Sequence, residues 1–290
     1  MPLPRGLPIV DHHCHLSPFG EGVAAARRFR SAGGTHLFLA TQNYGPGVPR
    51  SVDDYLRQFE TTEALGRRIH DETGVVVYNV VAPYPIDLVS AAPDLGPEGA
   101  LAVHRAALDL AGRWVREGRA VALGEVGRAH FPVAPEIATA IEAAFRHALQ
   151  VAREVGCPLI VHSADLDRAG FLELAERARE AGLPPGRVVK HYARTRLPAD
   201  EREGVVPSYL ARRDLLRSAL HDPGPWFLET DFLDDPARPG AVLDLATVPR
   251  RARAIAEESA NAEDQLSVPF VESVEKVYGW RPEVPQGGPR

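Results

Sequence analysis

Short apolar runs recur eight times along the chain, most of them followed by a stretch of helical periodicity, and this alternation limits the folds open to it. The runs are Ile9-Val10, Leu37-Phe38-Leu39, Val75-Val76-Val77, Val121-Ala122-Leu123, Leu159-Ile160-Val161, Val188-Val189, Val205-Val206 and Trp226-Phe227-Leu228. Most are β-branched or aromatic and apolar on successive residues, as expected of a parallel strand buried on both faces. Between them, Val52, Tyr55, Leu56, Phe59, Leu65 and Ile69 share one helical face, with a Ser51/Asp54 capping-box pattern before it and Gly74 as a stop. Ile137, Ile141, Ala144, Phe145, Ala148 and Leu149 make a second stripe, ended near Gly156, and Leu101, His104, Leu108, Ala111 and Val115 a third. Such alternation leaves an open doubly wound sheet or a closed (β/α)8 barrel. Periodicity does not choose between them.

The polar residues do. The first run ends in Asp11-His12-His13-Cys14-His15, the fourth in Gly124-Glu125-Val126-Gly127, and the fifth in His162-Ser163. The sixth ends in Lys190-His191-Tyr192 and the eighth in Glu229-Thr230-Asp231. A barrel gathers all C-terminal strand ends at one mouth, where active sites are built, whereas an open sheet spreads them across its width. A barrel is therefore expected, as one domain over 1–290 with residues 281–290 a flexible tail. His13 and His15, two apart on a strand, point to one face and can grip one cation. Each of His162, His191, Glu125 and Asp231 alone is as well explained by a structural role; five strand ends carrying ligand-type residues together are not. Four histidines and two carboxylates exceed the needs of one tetrahedral ion and suit two ions about 3.5–4 Å apart. Imidazole nitrogen with carboxylate oxygen fits Zn, Mn or Fe better than Mg alone. His12, alternating away from the His13/His15 face, is expected to support a ligand from behind or to be structural. His36, His70, His104, His147 and His221, on helices or strand starts, are expected to be surface or packing residues.

Composition narrows the classes further. Hydrophobic residues make up 44% and charged residues 25%, ordinary for a chain with a sizeable core. No run approaches the ~18 apolar residues of a membrane span, and the start lacks the apolar region of a secretory signal, so a cytoplasmic address away from membranes is expected. Two cysteines, Cys14 and Cys157, form no disulfide framework and read as small buried hydrophobes. A net charge of −6 argues against a chain-wide basic surface for nucleic acid, while leaving room for a short oligonucleotide held at a metal site.

Asp-x-His-x-His at 11–15, Gly-Glu-Val-Gly at 124–127, Pro-Leu-Ile-Val-His-Ser at 158–163, the His191 strand and Leu-Glu-Thr-Asp at 228–231 resemble the TatD-like metal-dependent hydrolases of the amidohydrolase superfamily. The match in order and spacing runs from Ile9 to Trp280 and looks like a divergent, archaeal-type branch. The resemblance implies a (β/α)8 barrel with one or two divalent ions (Zn, Mn or Mg). His13, His15 and Asp231 would hold the first ion, Glu125 would bridge, and His162 and His191 would hold the second. It also implies hydrolysis, with deoxyribonucleases that cleave phosphodiesters, often from a 3′ end, among the family. Three segments depart from the bacterial nuclease pattern. Val81-Ala82-Pro83-Tyr84-Pro85 stands for Gly-x-His-Pro, Arg128-Ala129-His130 for Leu-Asp-Tyr, and His191-Tyr192-Ala193-Arg194-Thr195-Arg196 for His-Cys-Phe-Ser-Gly.

The expected chemistry is attack by a metal-activated water, with Asp231 orienting it, taking its proton and passing it on, and Glu125 holding the ions together. His130, Lys190, Tyr192, Arg194, Arg196 and Arg238 follow strand ends and are expected to bind an anionic substrate, either DNA ends and short oligonucleotides or a small anionic ester. Asp11 is expected to anchor the first strand or to orient a ligand histidine. A small-molecule esterase, lactonase or amidase is the competing enzyme, and a non-catalytic barrel stapled by metal the competing scaffold. An open groove with Arg194 and Arg196 exposed fits a polynucleotide; a narrow acidic pocket does not.

Overall fold

The computed structural model of the protein describes residues 6–240 and 242–284, so residues 285–290 of the expected tail lie outside the described residues. Every apolar run leads into a strand. These are β1 (Val10–His15), β2 (His36–Ala40), β3 (Val76–Val81), β4 (Ala122–Gly127), β5 (Leu159–His162), β6 (Val188–Ala193), β7 (Val206–Leu210) and β8 (Phe227–Glu229). Neighbours in sequence are neighbours in the sheet, and all pair in parallel. A two-residue strand that no apolar run announced, β9 (Phe232–Leu233), pairs with β1. Only Thr230 and Asp231 separate β8, bonded to β7, from β9, bonded to β1, so this last limb closes the ring. The architecture is a (β/α)8 barrel.

Helices wrap it: α1 (Val23–Ser31), α2 (Val52–Thr73), α3 (Pro85–Arg116), α4 (Pro135–Val155), α5 (Arg168–Glu180), α6 (Arg213–Ala219), α7 (Thr247–Glu258), α8 (Ala262–Ser267) and α9 (Ser273–Tyr278). The Ser51/Asp54 capping box forms at the start of α2. Gly74 and Gly156 stop α2 and α4 in the left-handed conformation, at φ 69° and 72°. The third stripe occupies the second half of α3, which breaks at Gly96 before Pro97.

Strand residues divide between two cores. Val10, Phe38, Val80, Ala122, Ile160, Val189, Val206 and Phe227, one from each of the eight strands, form a single cluster inside the ring, joined by Tyr278. Their neighbours Val81, Leu123, Leu159, Val161 and Val188 pack instead with Phe59, Trp114, Phe145 and Phe171 of the helices. His12 belongs to the inner floor: its ring stacks on Phe227 at 3.7 Å and meets the Tyr278 hydroxyl at 2.9 Å. The register of β1 shifts between Asp11 and Cys14, which breaks strict alternation and lets His12 face inward below His13 and His15.

The seam of the ring rests on Asp11. Its buried carboxylate accepts the Thr230 N–H (3.1 Å), the Thr230 hydroxyl (2.6 Å) and the His13 N–H (3.2 Å), an anchoring role across β1 and the β8–β9 junction. An unsatisfied buried donor costs about 1–3 kcal/mol. Asp11→Ala, which strands three, is expected to lower stability in urea unfolding by about 3 kcal/mol or more, and Asp11→Asn by less. An unchanged unfolding midpoint for Asp11→Ala would show that closure does not depend on this carboxylate.

Candidate metal centre

Five strand ends deliver six side chains to one point. The Nε2 atoms of His13 and His15, both on β1, lie 3.1 Å apart. Asp231, at φ 48° in the turn between β8 and β9, brings Oδ1 to 3.6 Å from His15 Nε2 and 3.9 Å from His13 Nε2. Glu125 reaches from β4, with Oε1 3.4 Å from His13 Nε2 and 2.5 Å from His191 Nε2. His162, at the end of β5, sets Nδ1 3.3 Å from Glu125 Oε1 and 3.1 Å from His191 Nε2. Two groups of three emerge, His13/His15/Asp231 and His13/Glu125/His191, each with its ligand atoms within 4.8 Å of one another. Glycines on either side of Glu125 allow this approach. A Cβ on Gly124 would meet Ile160 Cβ at 2.6 Å, and one on Gly127 would meet the His162 carbonyl oxygen at 2.3 Å.

Imidazole nitrogens 3.1 Å apart repel unless a proton or a cation lies between them. Burial lowers His15 to about 4 and also lowers His162, leaving both neutral with lone pairs to give. Burial raises Asp231 to about 7. Burial opposes the charge on Glu125, yet His191 and His162 hold its carboxyl well below the usual range. Burial alone would lower His191 too, but Glu125 and Glu229 outweigh it and raise the ring to about 10. These residues fit divalent ions in donor type and convergence.

Glu229 is the participant that sequence reasoning passed over. Fully buried, it accepts the Tyr192 N–H at 2.7 Å and lies 3.5 Å from His191 Nδ1, turning His191 Nε2 towards Glu125. The signal was its place two residues before Asp231, as one carboxylate of a Glu-x-Asp pair.

A cleft of about 810 Å3 opens over these groups. His130, Tyr192, Arg194 and Arg238 line it, together with Tyr84, Asp87, Asp165, Asp234 and Asp235. Lys190 does not, which corrects the expectation from its post-strand position. It precedes the candidate ligand His191 within β6, so the pleat turns it the other way, and its buried ammonium donates to the His191 and Ser163 carbonyls at 2.5 and 3.3 Å. Arg196 is half-buried and lines no part of the cleft either. Arg128 is held by Glu142 and by Glu173, the latter at 2.8 Å.

A parallel eight-stranded barrel whose C-terminal strand ends converge histidines and carboxylates on one point has the architecture of a metal-dependent hydrolase. A family model described as "TatD related DNase" matches residues 10–279, and the chain belongs to that TatD family. An uncharacterized protein of Methanocaldococcus jannaschii is 30% identical over 281 residues, covering 94% of this chain and 96% of the relative. Among solved structures, a TatD-like protein from Archaeoglobus fulgidus superposes with a TM-score of 0.62 at 16% identity, covering 93% of this chain and 100% of that one. A mutant organophosphorus hydrolase from Deinococcus radiodurans does so with a TM-score of 0.59 at 18% identity, covering 94% and 93%. No helix among the described residues is long and apolar enough to cross a membrane.

In the cleft wall, burial raises the Asp87 carboxyl to about 7, against the pull of the Tyr55 hydroxyl, 3.4 Å away. A carboxyl raised on folding stabilises the fold below its unfolded value near 3.8 and loses that contribution as pH climbs through about 7. Asp87→Asn is therefore expected to melt above the parent at about pH 8.5, with no such gain near pH 4. Equal differences at both pH values, read by scanning calorimetry, would contradict the burial argument.

Proposed function

We propose that the protein is a two-ion hydrolase of phosphodiester bonds acting on a terminal nucleotide or short oligonucleotide. The carrying observation is the placement of Glu125, whose Oε1 lies 2.5 Å from His191 Nε2 and 3.4 Å from His13 Nε2 while its Oε2 lies 3.9 Å from His15 Nε2, so that one carboxylate reaches both ligand groups. Divalent ions, when bound, supply a water acidified towards neutrality and positive charge for the oxygen under attack. His13, His15 and Asp231 would hold one ion, His162 and His191 the other, with Glu125 between them. The imidazole-rich set favours Zn or Mn.

Asp231 borders both the ligand atoms and the cleft, and takes the role of orienting the attacking water, accepting its proton and delivering it to the leaving oxygen. Arg194 and Arg238 supply positive charge on the cleft wall, Arg238 while paired to Asp235 at 2.8 Å. Two arginines face four aspartates there, Asp87, Asp165, Asp234 and Asp235, which suits a compact substrate rather than a long duplex tracked along a basic groove. The volume is also that of a small-ligand pocket, commonly about 300–1,000 Å3.

That acidic wall equally favours a second reading, a small carboxyl ester or lactone, and the fold is shared with the Deinococcus organophosphorus hydrolase. Bis(p-nitrophenyl) phosphate, end-labelled short DNA and a lactone panel, each assayed with Mg, Mn and Zn, separate the two. Turnover of the phosphodiesters with Mn or Zn is expected. Turnover of lactones alone would select the second reading, and silence on all substrates with metal bound would leave a metal-stapled scaffold.

Asp231→Asn is expected to cut turnover by about 10²–10⁴-fold while most metal stays bound. Full activity at full metal content would remove Asp231 from the proton-transfer role. Glu125→Gln is expected to lower the ion count per chain by elemental analysis.

A further inference from the structure

Two side chains outside the ligand set meet at the far nitrogen of His162. The Tyr84 hydroxyl lies 3.2 Å from His162 Nε2 and His130 Nδ1 lies 3.0 Å from it. Both rings stand edge-on to His162, at 5.0 Å and 78° for Tyr84 and 5.2 Å and 66° for His130. The other nitrogen, Nδ1, faces Glu125 and His191. A neutral imidazole carries one N–H and one lone pair. If Nδ1 gives its lone pair to a cation, the proton must sit on Nε2 and needs an acceptor there. A phenol oxygen and a neutral imidazole nitrogen both accept.

We propose that Tyr84 and His130 are positioning residues that together hold the Nε2 proton of His162 and so aim its Nδ1 lone pair at the second ion. The inference rests on the two-ion reading and assigns residues that the ligand set leaves out. Tyr84 is preset for this work. It is the residue before α3, followed by Pro85 at the first helical position, and Pro restricts it to the extended conformation found, φ −71° and ψ 133°. Half-buried at the cleft edge, it offers an oxygen that accepts from His162 while its own hydrogen stays available to a substrate oxygen. His130 reaches the same nitrogen from the exposed loop after β4 and packs edge-on to Phe131 at 5.1 Å. Its ring is thus engaged with a ligand histidine, a use different from the anion binding expected of it.

The two residues come from segments 81–85 and 128–130, two of the three that depart from the bacterial nuclease pattern. Far apart in sequence, both departures arrive at one atom. They alter how a ligand is supported, in addition to how the cleft is lined.

Zn(II) binding to the metal-free full chain, followed by competition with a chelator, tests this on Tyr84→Phe, His130→Ala, the double variant, and His130→Asn in the Tyr84→Phe background. Losing both acceptors is expected to weaken the second ion about 10–100-fold and to leave the first ion unchanged. Each single change, which spares one acceptor, is expected to cost less, and His130→Asn, whose amide oxygen can accept in place of Nδ1, is expected to recover part of the loss. The metal-free variants should melt with the metal-free parent. Two ions held by the double variant at the parent's affinity would overturn the proposal, as would equal weakening of both ions together with a lowered melting temperature. A parent that takes up fewer than two ions would instead bring down the two-ion reading, and this inference with it.

Discussion

The Asp11 carboxylate is the junction on which the arrangement depends. It ties β1 to the turn between β8 and β9 through Thr230, and Thr230 adjoins Asp231. It also accepts the N–H of His13, so one buried group sets the spacing between ligand candidates 218 positions apart in the chain. The Asp231 N–H donates to the His13 carbonyl at 2.9 Å, so backbone and side chain fix the same seam. An open sheet has no such seam, and its Asp231 would lie a full sheet-width from His13.

Closure sets up an electrostatic problem that the strand ends alone do not solve. Imidazole nitrogens face one another at 3.1 Å, burial pushes Asp231 towards protonation, and His191 is driven to hold a proton between Glu125 and Glu229. Positive charge at the centre relieves each of these at once. Supporting groups have the same logic: Glu229 backs His191, and Tyr84 with His130 stands behind His162. Ligand orientation is thus built from behind, by residues with no place in the ligand set.

Much of this was legible in the sequence. Parallel strands buried on both faces read as apolar runs, and each of the eight runs leads into one strand. The ligand candidates were legible because a barrel converts the end of a strand into a place at the mouth, so His162 and His191 identify themselves by what precedes them. Other features depend on direction or on distant partners and left weaker traces. β9 is two residues long and exists because β1 lies beside it. Lys190 follows an apolar run as a mouth residue should, but pleat direction decides its fate and the run does not reveal it. Tyr84 resembles ordinary punctuation between prolines, and its meeting with His130 at one nitrogen is a property of the closed ring alone.

The most direct test of the account is anomalous diffraction at the zinc and manganese edges from crystals grown with each ion. Two peaks are expected, about 3.5–4 Å apart. One should sit among His13, His15 and Asp231 and the other against His162 and His191, with Glu125 touching both. A single peak, or a centre that binds no ion although the six side chains stand where they do here, would contradict it.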